Sequence, residues 1–265
     1  MRSRARVFDG HGVSGLPKQA ARNWFERGGA DYAQFRPLYP PQLTAFLCGL
    51  APTRRLALDV GCGNGQLTVA LAQCFDAVLG LDPSASQLAH ARTHERVHYA
   101  AARAEQLPLQ AGTVDLVVAA QAAHWFDLTR FYAEARRVAR PGATLALVSY
   151  GVLQLPVDLA PCFRHFYAEQ IHAHWPAPRR LVEAGYRDLP FPFAELGAPE
   201  LQIRHWWRAD EFVGYVSTWS AVRRLAEAGQ ATLFSRFAQE ISALWGHPER
   251  LRPVTWPISL RVGRL

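Results

Sequence analysis

Leu58-Asp59-Val60-Gly61-Cys62-Gly63-Asn64-Gly65-Gln66-Leu67 is the stretch from which the fold can be read. It leaves a run of buried-strand type at residues 56–60, turns through three alternate glycines, and enters a helical pattern over residues 65–75. A glycine turn directly after a strand and before a helix is the crevice where open α/β sheets bind ligands, since glycine lets the backbone come close to the bound molecule. The spacing is G-x-G-x-G rather than the G-x-G-x-x-G whose helix N-terminus receives a pyrophosphate, so a ligand without phosphates is preferred.

Outward from this turn, apolar runs of strand type recur at residues 77–81, 97–100, 114–119 and 144–149. They are separated by helical patterns at 84–94 and 127–139. Such alternation requires right-handed crossovers. The fold class predicted is α/β, a Rossmann-like, doubly wound and mostly parallel sheet with a helical cap inserted. Upstream, Pro40 and Pro41 end an irregular stretch before a short helix carrying Leu43, Phe46, Leu47 and Leu50. After Gly151 the rhythm breaks: Pro156, Pro161, Pro176, Pro178, Pro190, Pro192 and Pro199 punctuate helical stretches near 159–174 and 179–185. Two helices follow, about 209–227 and 230–245, then alternating residues 254–262 suited to a strand that returns to the main sheet. The expected organisation is a mobile arm over 1–22 and a single domain over 23–265. Within that domain the ligand-binding core covers about 43–150 and a cap or acceptor region about 151–208.

Composition narrows the class. With 265 residues, 49% of them apolar, the chain can bury one large core. No window holds the roughly 18 uninterrupted apolar residues of a membrane span, and the charged N-terminus has no apolar segment behind it, so a cytoplasmic protein with no membrane partner is expected. Cys48, Cys62, Cys74 and Cys162 are widely spaced, without a zinc pattern, and are expected as free thiols; no metal is expected. The net charge of +7 would suit nucleic acid, but Lys18 is the only lysine and the arginines are scattered rather than striped. Nucleic acid is therefore not favoured as a partner.

Asp82 closes the second strand, where a carboxylate can accept both ribose hydroxyls of an adenosine. Alone, the glycines could merely make a tight turn and Asp82 merely cap the helix that starts near Ser84. On consecutive strands, they read together as one nucleoside site.

From these residues a resemblance follows. Residues 58–65, Asp82-Pro83-Ser84, Ala104-Glu105-Gln106-Leu107-Pro108, Val114-Asp115-Leu116-Val117 and Arg137-Val138-Ala139-Arg140-Pro141-Gly142 resemble, in order and spacing, the class I methyltransferases that use S-adenosylmethionine (SAM) and release S-adenosylhomocysteine. The resemblance implies that Gly61, Gly63 and Gly65 line the methionine part of SAM and that Asp82 binds its ribose. The Ala104-Glu105 segment would border the adenine, and Asp59 would hold the glycine turn or the SAM amino group. Pro83 and Gln121, at the ends of the second and fourth strands, join the cofactor-binding set. A narrower likeness, carried by residues 32–40, Ala123-His124-Trp125-Phe126-Asp127 and Thr218-Trp219-Ser220-Ala221, is to the trans-aconitate methyltransferase-like group, whose characterised members esterify small carboxylic acids.

On the acceptor side, His124 follows the fourth strand and its imidazole could take a proton from a hydroxyl, making it the candidate catalytic base; equally, it could bond a nearby carbonyl. Trp125 would wall the pocket. Tyr32 and Arg36 are expected to close over the cofactor, an arginine fork being suited to a carboxylate. Trp24, Phe25, Trp206, Trp207 and Trp219 read as lid and core packing. The reading is a SAM-dependent methyltransferase acting on a small-molecule acceptor at a carboxylate or hydroxyl. A carboxylate is already anionic at neutral pH and needs no base, so the importance of His124 diagnoses the acceptor class. The alternatives carried are a non-enzymatic protein that binds SAM or S-adenosylhomocysteine as a signal, an RNA methyltransferase, and an NAD oxidoreductase whose glycine spacing this chain lacks.

Overall fold

The apolar runs all form strands, and those at the centre of the sheet, such as the run at 114–119, are apolar because both of their faces are covered, whereas the run at 97–100 lies at the sheet edge and is partly exposed. In the computed structural model, which describes residues 37–265, β1 (Leu56–Val60), β2 (Ala77–Asp82), β3 (Val97–Ala101), β4 (Val114–Ala120) and β5 (Ala139–Tyr150) pair in parallel. On β4, Leu116 and Val118 enter one core while Val114, Val117 and Ala119 enter the other. One core is covered by α1 (Pro41–Leu50), α2 (Gln66–Leu71) and the later helices α7 (Ala209–Ser217), α8 (Ser220–Glu227) and α9 (Ala231–Trp245). The other lies beneath α4 (Leu128–Val138) and α6 (Arg179–Glu183).

Two antiparallel strands complete the sheet. β7 (Arg252–Arg264) returns as expected and lies between β5 and β6 (Leu201–Trp207), giving the order β3-β2-β1-β4-β5-β7-β6. β6 falls in the stretch expected to be cap. Its alternation was hidden because Trp206, 57% exposed, sits on the polar side of an outer strand beside the packed Trp207. Trp206 therefore corrects the expectation that all these aromatics pack as lid or core, and Trp24 and Phe25 lie outside the described residues.

Several predicted helices are shorter or more broken than expected. α3 (Ala85–Ala89) ends before Arg92 because the Arg92 amide donates to the Asn64 carbonyl and its own carbonyl accepts from the Tyr99 hydroxyl. The 209–227 pattern breaks at Trp219, whose extended backbone (φ −70°, ψ 139°) sends its indole among Phe163, Tyr167 and Trp175. The 159–174 pattern begins as α5 (Ala160–Arg164) and widens into a π-helical turn, His165–Gln170.

Two further contacts bind elements together. Fully buried Asp115 on β4 accepts from the Thr53 hydroxyl (2.7 Å) and the amides of Arg55 and Leu56 (3.0 Å each), fixing the start of β1. Cys48 of α1 and Cys74, beyond α2, are joined in a disulfide with Cα atoms 6.4 Å apart. That corrects the expectation of four free thiols, which spacing alone could not foresee because the helix–strand crossover brings the two cysteines together; Cys62 and Cys162 are free. Among the described residues no helix is long and apolar enough to cross a membrane.

Candidate active site

From β1 the chain winds outward through β2 to β3, and then crosses back to place β4 and β5 on the other side of β1. The crevice at the carboxyl ends of β1 and β4 is where such a reversal leaves room for a ligand. A cavity of about 440 Å³ lies there, lined by Gly61, Cys62 and Gly63 after β1, Asp82 and Pro83 after β2, Gln121 after β4 and Tyr150 ending β5.

Of the sequence-predicted residues, Asp59, Gly61, Gly63, Asp82, Pro83, Ala104, Glu105 and Gln121 all line this cavity. Gly65 does not. It stands at the N-cap of α2 with φ +80°, and a Cβ there would lie 1.9 Å from the Tyr99 hydroxyl, so this glycine makes room for protein rather than ligand. Gly61, which does line the cavity, also makes room for protein: a Cβ there would meet that of Ala122 at 2.4 Å. Tyr32 and Arg36 lie outside the described residues. His124 is absent from the lining; its Nδ1 pairs with the Tyr186 hydroxyl at 2.8 Å beneath the cap. Burial first, and the Arg179 charge second, lower its pKa to about 3, so it stays neutral and weakly basic. Its expected place facing the acceptor is thus corrected: the short 3₁₀ turn Ala123–Trp125 turns His124 inward and leaves Trp125 on the cavity.

Asp82 is held by its own loop. Its two carboxylate oxygens accept from the Gly63 amide (2.9 Å) and the Ser84 amide (2.8 Å), and it is the Ser84 side chain, not Asp82, that caps α3. Burial raises its pKa against those two bonds. Asp59 is buried more deeply: burial lifts its carboxyl to about 7, the Thr68 hydroxyl (2.7 Å) pulls it back, and Asp82 adds repulsion. Burial likewise raises the Cys62 thiol far above its usual range, so Cys62 is neutral in the cavity wall.

Sequence reasoning missed Asn64, Gln87, Tyr39 and Tyr150 as lining residues. Tyr150 was findable, since it ends a parallel strand on the ligand-binding side. Asn64 lay inside the quoted turn, but nothing in its identity announced its role. Gln121 carries a backbone strain the sequence does not display, φ +54° on a non-glycine residue, held while its side-chain amide donates to the Tyr150 carbonyl (2.9 Å).

Two buried polar atoms of cavity-lining residues have no partner among the described residues, the acceptor Asp59 Oδ1 and the donor Asn64 Nδ2. Such orphans are costly unless a ligand satisfies them. An acceptor and a donor fit the ammonium and carboxylate of an amino-acid tail, and Asp82 fits vicinal ribose hydroxyls. The donor set thus suits SAM, with Asp59 and Asn64 at its methionine end and Asp82 at its ribose.

Residues 58–147 match the methyltransferase domain family. A candidate methyltransferase of Dictyostelium discoideum is 32% identical over 203 residues, 75% of this chain and 77% of that protein. The malonyl-[acyl-carrier protein] O-methyltransferase of Geobacter sulfurreducens is 35% identical over 51% of this chain and 55% of its own length. Among solved structures, that of a candidate type II methyltransferase from Anaeromyxobacter dehalogenans superposes with a TM-score of 0.82 at 47% identity, covering 87% of this chain and 98% of the other. With the glycine turn, the acid on β2 and the sheet order in place, the chain belongs to the class I SAM-dependent methyltransferases.

Proposed function

We propose that the enzyme O-methylates a small-molecule acceptor, with a carboxylate as the favoured nucleophile and a hydroxyl as the second choice. One observation carries the reading: the cavity wall includes the aromatic rings of Tyr39, Trp125, Phe126 and Tyr150, while His124, the base that a hydroxyl would need, is withdrawn from it and only weakly basic. A carboxylate requires no base. The Geobacter relative, named for O-methylation of a malonyl group, supports the same chemistry.

SAM supplies a methyl group on an electron-poor sulfonium, open to in-line displacement. The chain's residues then have to bind, align and exclude water. Asp82 fixes the nucleoside, Asp59 and Asn64 fix the amino-acid tail, and the aromatic wall shuts out solvent beside the acceptor. Alignment of this kind can lower a barrier by roughly 7–11 kcal/mol. His124 acts at one remove, holding the 3₁₀ turn that presents Trp125.

The domain division proposed is a cofactor-binding core over about 43–150 and an acceptor cap from 151 to the start of β6. A cytoplasmic location keeps only its hydropathy support, since the Cys48–Cys74 bond removes the free-thiol argument.

The test is incubation with methyl-labelled SAM against panels of small carboxylic acids, phenols, alcohols and amines. Label that base releases as methanol marks esters, and stable label on phenols or alcohols marks ethers. Label confined to amines, or transfer to no acceptor, would overturn O-methylation.

A further inference from the structure

Asp59, Gly80 and Tyr99 stand in one row across β1, β2 and β3, as register partners in neighbouring parallel strands. Side chains in such a row share a face of the sheet. Gly80 leaves its place in the row open, and the Tyr99 ring fills it: a Cβ at Gly80 would lie 2.7 Å from that ring and 3.0 Å from Cys62 Sγ. The ring therefore crosses β2 and reaches the glycine turn, where Gly65 leaves a second gap for its hydroxyl. Tyr99 thus meets the turn from behind, on the side away from the cavity that Cys62 and Asn64 line.

Its hydroxyl donates to the Arg92 carbonyl (2.8 Å), and the Arg92 amide donates to the Asn64 carbonyl (3.0 Å). Arg92 is held at both of its backbone groups, by β3 on one side and by the turn on the other. Burial first, then the neighbouring Cys62 and Asp59, push the Tyr99 pKa up to about 12, while Thr68 and Arg92 pull it back. The hydroxyl accordingly keeps the proton that it donates.

The earlier part of the turn is fixed from β2. The amides of Gly61 and Cys62 donate to the Leu81 carbonyl, and that of Gly63 donates to Asp82. Asn64 is tied to β3 instead, through Arg92. It is also the residue whose buried Nδ2 has no partner among the described residues. A donor kept for a ligand holds its direction only when the groups behind it hold its backbone.

We propose that Tyr99 is a positioning residue for the cofactor: through Arg92 it holds Asn64 where the side-chain amide can donate to the carboxylate of SAM's amino-acid tail. The inference extends the cofactor site and is independent of which acceptor is methylated.

The test is calorimetric titration of the wild type, Tyr99→Phe, Asn64→Ala and the double variant with two probes. S-Adenosylhomocysteine carries the tail; methylthioadenosine keeps the nucleoside and lacks the tail. Tyr99→Phe leaves the ring in its gap and removes the bond to Arg92, and it is expected to bind S-adenosylhomocysteine about five- to tenfold more weakly. Its affinity for methylthioadenosine should stay within about twofold of wild type, which also reports that the variant folds. With Asn64 truncated, Tyr99→Phe should cost S-adenosylhomocysteine nothing further, since the hydroxyl then has no side-chain amide to place. An equal loss for both probes would make Tyr99 a general support of the fold and overturn the inference. So would unchanged S-adenosylhomocysteine binding in Tyr99→Phe, or the same loss with and without the Asn64 side chain. That last comparison decides by itself if methylthioadenosine binds too weakly to measure. Asn64→Ala binding S-adenosylhomocysteine like the wild type would overturn the inference by removing Asn64 from the tail, and would leave O-methylation standing.

Discussion

Asp59 shows at a single side chain how binding and stability are traded. In the folded protein its carboxyl titrates near 7, above its ordinary 3.8, chiefly through burial. Between those two values the native state holds a proton that the unfolded chain gives up, so this group's contribution to stability falls as pH rises from about 4 to 7 and stays lost above. Asp59→Asn is therefore expected to raise the melting temperature of the ligand-free protein most at pH 8, less at pH 5, and hardly at all at pH 3.5, as scanning calorimetry at the three pH values would show. The same variant should bind SAM at least tenfold more weakly at pH 8, because the negative charge that meets the ammonium is gone. Linkage gives a second expectation for the wild type: a cationic tail binds the ionised carboxyl, so SAM affinity falls about tenfold per unit as pH drops below 7. Titrations at pH 5.5 and 8 check this, and a flat profile would show that Asp59 does not meet the ammonium. Asp82→Ala, which removes a charged acceptor of two hydrogen bonds, should cost about 2–3 kcal/mol of SAM binding, seen as a loss of roughly one hundredfold in affinity.

Asp115 is the corresponding test for elements, since it ties the start of β4 to the residues leading into β1, at the end of the sheet opposite the crevice. Asp115→Ala leaves the amides of Arg55 and Leu56 without their acceptor, and a loss of about 3 kcal/mol is expected. Urea unfolding would show it as a lower midpoint at unchanged slope; a loss below about 1 kcal/mol would mean water replaces the carboxylate. The elements also show what was legible beforehand. The central strands could be read because burial on both faces forces apolar runs, and most of the cavity-lining residues because they sit at or just beyond the end of a parallel strand. The helical breaks could not, because they are set by distant partners: Trp219 leaves the helix for the aromatic cluster, and Arg92 leaves α3 for Asn64 and Tyr99. His124 was misplaced for the same reason. Its residue type suggested a base, whereas Tyr186, distant in sequence, decides where the ring points.

The whole molecule adds a covalent tie and a topological one. Alkylation of the denatured protein should modify Cys62 and Cys162 alone until reductant is added, and all four cysteines afterwards. Four reactive thiols without reductant would remove the Cys48–Cys74 bond. If the bond is present, reduction should destabilise the fold by about 3 kcal/mol for a loop of this length, or roughly 6–12 °C in melting temperature for a chain this size. The sheet order has a further consequence, one of time. β6 leaves the ribosome well before β7, yet among the described strands only β7 pairs with it. At about 5–20 residues per second, the nascent chain carries an unpaired strand bearing Trp206 and Trp207 for several seconds. During that interval this strand, and not the finished enzyme, is the part of the protein most in need of a chaperone.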